Sequence, residues 1–97
     1  MTGRMLKAFG SSPGEGIGQL NAPGHLSLDD EERIIVADDL NHRVLLLTKQ
    51  LMLQRVLVTW PDSDDTGYPS RVHYDSQSRQ LLVGLGRGYL DIYKLHT

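Results

Sequence analysis

The chain has 97 residues, with ten Lys and Arg against twelve Asp and Glu, a net charge of −2, and no cysteine. That length allows one small domain with a thin core. The near-neutral charge lacks the basic excess of a nucleic-acid surface, and the missing cysteines exclude a disulfide framework, thiolate metal sites and a cysteine nucleophile.

The first apolar stretch, Met5-Leu6-Lys7-Ala8-Phe9, reads as a short strand over about residues 5–9. No apolar run follows Met1-Thr2-Gly3-Arg4 in the manner of a secretory leader. The longest apolar run, Val44-Leu45-Leu46-Leu47, is far below the roughly 20 residues of a spanning helix. A cytoplasmic protein without a membrane segment is therefore expected. Gly14-Glu15-Gly16-Ile17-Gly18 comes next and reads as turn glycines, because no strand and helix flank it as a nucleotide loop requires.

From residue 23 the pattern is that of short strands. Leu26 and Leu28 alternate with Ser27, which predicts a strand with two unlike faces. Asp29-Asp30-Glu31-Glu32 follows as a turn, since Asp side chains bond the local backbone. The runs 34–37 and 44–48, like 81–83 and 90–93 further along, are nearly continuous in apolar residues, which predicts strands covered on both faces. A fourth strand is read over 51–59.

The pattern then repeats. A shift of 46 residues lays Pro23 on Pro69 and carries the segment ending at Leu47 onto the one ending at Tyr93 without a gap. Leu26 and Leu28 fall on Val72 and Tyr74, Ile35-Val36-Ala37 on Leu81-Leu82-Val83, and Val44 and Leu46 on Leu90 and Ile92. Asp75-Ser76-Gln77-Ser78 takes the place of the acidic turn. With strands lettered a to d from the inside outward, the order is d, a-b-c-d, a-b-c. The expected fold is all-β, with repeat 1 over about 23–59, repeat 2 over about 69–95, and the strand at about 5–9 completing a neighbouring blade. A period of this length with four short strands suits a propeller blade.

Phe9-Gly10, the linker running from Gly14 to Pro23, and then Ile35-Val36-Ala37-Asp38 with Asn41-His42-Arg43-Val44 together resemble an NHL repeat. The second unit departs from it, with Gly84 in place of Asp38 and Arg87-Gly88-Tyr89 in place of Asn41-His42-Arg43. The resemblance spans nearly the whole chain and is greatest to the last NHL repeats of tripartite-motif proteins. It implies a six-bladed propeller that recognises protein or RNA for an attached ubiquitin ligase.

Two blades do not close a propeller, which needs about four to eight. A head-to-tail contact closes a ring when its rotation divides a full turn. Two, three or four copies are possible; three match the six-bladed habit, so a cyclic homotrimer is expected. Met1 and the strand phase favour a self-contained unit over a fragment of a larger tripartite-motif ligase.

Candidate binding residues lie on the face carrying the d–a and b–c loops: the repeat-equivalent His25 and Arg71, and Asn41, His42, Arg87 and Tyr89. Asp38 and Arg43 are expected to form a polar contact across a strand end. Asp62-Ser63-Asp64-Asp65-Thr66-Gly67 matches a calcium loop in part, but His73 stands where the closing carboxylate belongs, so a solvated loop is the better reading. Gly84-Leu85-Gly86-Arg87-Gly88 reads as turn glycines, and His25, His42, His73 and His96 have no metal spacing. Neither a cofactor nor a metal is expected. The functional expectation is a non-catalytic, self-assembling scaffold that binds a protein segment. An RNA-binding propeller is second, supported by Arg87 beside Tyr89 for base stacking and opposed by Asp38, Asp39, Asp62, Asp64 and Asp65 on the same face. A propeller lyase or hydrolase, with His25 and His73 facing a central channel, is third.

Overall fold

A computed structural model describes residues 3–5, 8–9, 20, 23–61, 68–86 and 88–96. Seven strands form two antiparallel sheets. The first holds β1 (Pro23–Leu28), β2 (Ile34–Asp38), β3 (Arg43–Leu47) and β4 (Leu53–Thr59), in that spatial order. The second holds β5 (Pro69–Asp75), β6 (Gln80–Leu85) and β7 (Leu90–Lys94), also in order. These are the a-b-c-d and a-b-c meanders of the sequence pattern. The described residues of the N-terminal stretch, Met5, Ala8 and Phe9, belong to no strand.

The turns follow from their side chains. Asp29 closes the β1–β2 turn, its carboxylate accepting from the Glu31 and Arg33 amides at 2.9 and 2.8 Å and from Arg33 Nε at 2.7 Å. In the β5–β6 turn Asp75 accepts from the Ser78 hydroxyl at 2.6 Å. That bond is the main cause holding the Asp75 carboxyl below its ordinary value, against a smaller opposing effect of burial. Each turn ends on a left-handed residue, Glu32 at φ 61° and Arg79 at φ 56°.

The ungapped repeat is corrected at the middle strand. Leu26 pairs with Val36 and Leu28 with Ile34, whereas Val72 pairs with Val83 and Tyr74 with Leu81. Ile35 pairs with Leu46, as Leu82 does with Ile92. The outer strands thus keep the shift of 46 residues, while β6 lies one residue further along relative to β2. Leu81-Leu82-Val83 corresponds to Ile34-Ile35-Val36, and Leu85, not Gly84, stands where Asp38 does. The β5–β6 turn is one residue longer and the β6–β7 loop one shorter. A one-residue slip exchanges the faces of a strand, so this decides which side chains meet.

The sheets pack face to face, β1 and β2 against β5. Ile35, Ala37, Val44 and Leu46 from the first sheet meet Val72, Tyr74, Leu81 and Val83 from the second, with Trp60 and Leu85 completing the core. Val36, Leu45 and Leu47 lie on the first sheet's opposite face beneath Phe9 and Leu20. Both faces of β2 and β3 are covered, as their unbroken apolar runs require. The second sheet differs: its far face has Leu90 and Ile92 exposed, so cover on both faces is not met there. No helix among the described residues is long and apolar enough to cross a membrane.

Candidate functional site

The β2–β3 connection, the end of β4 and the start of β5 converge at one end of the two sheets. Asp38 ends β2 and is followed by a single 3₁₀ turn, Asp39–Asn41. His42 then adopts a left-handed conformation at φ 53°, which reverses the chain into β3. Its carbonyl accepts from the Trp60 amide at 2.8 Å and from the Thr59 hydroxyl at 3.3 Å. This fixes the β4 exit beside the loop.

The expected Asp38–Arg43 contact is present. Arg43 Nε lies 2.7 Å from Asp38 Oδ2, and the Asn41 side-chain amide donates to the same oxygen at 2.9 Å. Asp38 is fully buried. A carboxylate removed from water needs such charged and amide donors.

The candidate residues divide into two groups. His25 faces the neighbouring sheet, where its Nδ1 accepts from the Val72 amide at 3.1 Å. Asn41 is engaged with Asp38. His42 is buried and meets the Tyr68 ring edge-on, with centroids 4.8 Å apart. All three hold the fold at this end. Arg71 and Tyr89 are exposed, and Arg87 lies outside the described residues, as do the partial calcium loop at 62–67 and the glycine cluster at 14–18. In the second glycine cluster, Gly84 lies within β6, Gly86 in the following turn, and Gly88 at φ 88°. Gly84 is thus a strand residue rather than a turn glycine.

The sequence reading missed two exposed side chains at this end, Leu40 in the β2–β3 connection and Tyr68 just before β5. The Tyr68 carbonyl accepts from the Gly86 amide at 3.0 Å, and the Tyr89 carbonyl from the Leu85 amide at 2.8 Å. Two tyrosines are thereby tied to adjacent residues, the last of β6 and the first of the turn that follows it. A Cβ at Gly86 would stand 3.6 Å from the Tyr68 ring, an ordinary van der Waals contact. The available signal for Tyr68 was its place between the acidic loop and Pro69.

Electrostatically the loop end is uneven. Burial raises the Asp39 carboxyl, and the Asp38 charge adds to this while His42 opposes it. Asp39 Oδ1 and His42 Nδ1 are buried without hydrogen-bond partners. No group of three metal-ligating side chains is gathered among the described residues. A groove of about 240 Å³ lies between β4 and the C-terminal end of β7, lined by Arg55, Val56, Leu57, Lys94, Leu95 and His96. The tyrosine loops are at the other end of β7.

No family model matches the chain, and no curated protein matches it in sequence.

Proposed function

We propose that the chain is a self-assembling, NHL-type β-propeller scaffold that binds protein segments and performs no catalysis, three copies closing a six-bladed ring. The observation that carries this reading is the packing of two successive antiparallel meanders through their first strands, β1 on β5. A propeller is that relation repeated around an axis. The second sheet has no fourth strand within the described residues, so the edge of β7 is open to a strand from outside. In the proposed ring the stretch at about 5–9 of a neighbouring copy fills that edge.

The surface assigned to binding is the loop end carrying Leu40, Tyr68 and Tyr89. Exposed tyrosines held by short backbone bonds present large, stiff contact area, the kind enriched at protein interfaces. Repetition around a ring would present that surface three times, so weak contacts would gain by multivalency.

Light scattering behind gel filtration tests the assembly. A mass near three times 10.9 kDa is expected. A folded species of 10.9 kDa alone would overturn it.

A further inference from the structure

We propose that the open face of the second sheet receives the first sheet of a second copy, inner strand against inner strand, with His73 in the part that Ser27 plays within the chain. The proposal rests on the ring reading above and names the contact that would build it.

The interface inside the chain supplies the template. On the first sheet's inward side are His25, Ser27, Ile35, Ala37, Val44 and Leu46. His25 Nδ1 accepts from the Val72 amide and Ser27 Oγ from the Tyr74 amide, both at 3.1 Å. The four apolar residues belong to the core shared by the sheets. Strand pairing gives their counterparts in the second sheet as Arg71, His73, Leu82, Gly84, Leu90 and Ile92. These lie on the face turned away from the core, because side chains alternate along a strand.

The same positions differ sharply in exposure. Val44 and Leu46 are 0% and 1% exposed, whereas Leu90 and Ile92 are 62% and 57% exposed. The complementary surface shows the same contrast. Val72 and Tyr74 are buried at 2% and 7%, while their counterparts Leu26 and Leu28 are 61% and 54% exposed. Each half of the internal interface therefore exists a second time without its mate, one half on each sheet. A contact joining these two different halves is heterologous and repeats from copy to copy.

The second copy fits in chemical detail. The outer part of the first sheet's far face is roofed by Phe9 and Leu20, which leaves the apolar ground of β1 free at Leu26 and Leu28. Leu90 and Ile92 would meet that roof. At the inner strand an imidazole nitrogen of His73 can accept from the Leu28 amide, as Ser27 accepts from Tyr74. Arg71, with donors only, cannot repeat the bond made by His25. The contact between copies is thus built with one such bond where the internal one has two.

The chain has no cysteine, so single thiols report position cleanly. Leu28→Cys and His73→Cys, both at exposed strand positions, are prepared separately and treated with a short bismaleimide, alone and mixed. Circular dichroism checks each fold, and Ser27→Cys/Tyr74→Cys serves as the intramolecular control. We expect linked dimers in the mixture and not in either variant alone, and an at least tenfold weaker association for Ile92→Asp. Dimers from one variant alone would show a symmetric contact and overturn the proposal. A trimer by mass without mixed linkage would overturn this interface and leave the ring standing. A folded monomer would overturn both.

Discussion

His25 and Val72 are joined across the two sheets by a hydrogen bond of 3.1 Å from the Val72 amide to the imidazole Nδ1. Val72 belongs to the buried core, so its amide has no ready substitute partner. An orphaned buried amide costs about 1–3 kcal/mol. His25→Leu is expected to lose about that much in urea unfolding. His25→Asn, whose amide oxygen takes a place close to Nδ1, should recover most of the loss. Equal losses for both variants would show that the bond contributes nothing.

Asp38 and Leu85 occupy the same register position, opposite Pro23 and Pro69 respectively. The chain thus contains an ionic and an apolar solution to one place in the blade, and Tyr89 stands where Arg43 does. Removing Arg43 alone would take the cationic partner from a fully buried carboxylate, and breaking a buried pair in this way typically costs about 3–5 kcal/mol. Replacing both partners with the second sheet's pair, Asp38→Leu with Arg43→Tyr, should cost far less, because no uncompensated charge remains. Chemical denaturation of Arg43→Met and of the double variant tests the ordering. A double variant at least as unstable as Arg43→Met would refute the equivalence.

The gaps in the sequence reading have a physical origin in the same register. The seven strands and the Asp38–Arg43 contact were legible, because alternation, turn residues and the repeat all agree there. The middle strand was not. Ile34-Ile35-Val36-Ala37 and Leu81-Leu82-Val83 have no alternation to fix a phase, so a slip of one residue leaves the apolar pattern unchanged. Turn length decides, and it shows in the pairings, with Leu28 opposite Ile34 but Tyr74 opposite Leu81. His25, Asn41 and His42 were legible as residues of one end of the blade but not as inward-facing ones. A polar side chain near a loop carries no mark of whether its partner is an amide within the fold or a ligand outside it.

Tyr93 bridges the sheets from β7, meeting Trp60 edge-on with centroids 6.5 Å apart and donating to Asp91 at 2.9 Å. Burial first, then the bond to Asp91 and its charge, push the phenol up to about 12 from an ordinary 10.0. A group whose folded value is raised contributes stability that is present below its unfolded value and lost above it. The Tyr93 contribution should therefore hold up to about pH 10 and fade as pH rises toward 12. Tyr93→Phe should show a smaller decline over that window in urea unfolding, and ultraviolet titration should lose one late-ionising tyrosine. Parallel declines in the two proteins would assign the alkaline loss to other groups.

Asp39 gives a dependence of the same sign at the acid end. Its carboxyl is raised above the ordinary 3.8, chiefly by burial, then by the Asp38 charge, with His42 opposing. Its Oδ1 is buried without a partner. A raised carboxyl favours the folded state only while protonated, so its contribution is present below about 3.8 and is lost as pH rises through the folded value. At neutral pH the charged Asp39 is therefore a liability, held one residue from the fully buried Asp38. Asp39→Asn keeps the shape of the 3₁₀ turn and removes the charge. It should be more stable than the parent at pH 7, because the charge that burial disfavours is gone, and the advantage should vanish below pH 3.8. Urea unfolding of both proteins across that range measures it. A deficit at neutral pH would mean that the Asp39 carboxylate makes a favourable interaction in the folded state that its orphaned oxygen does not reveal.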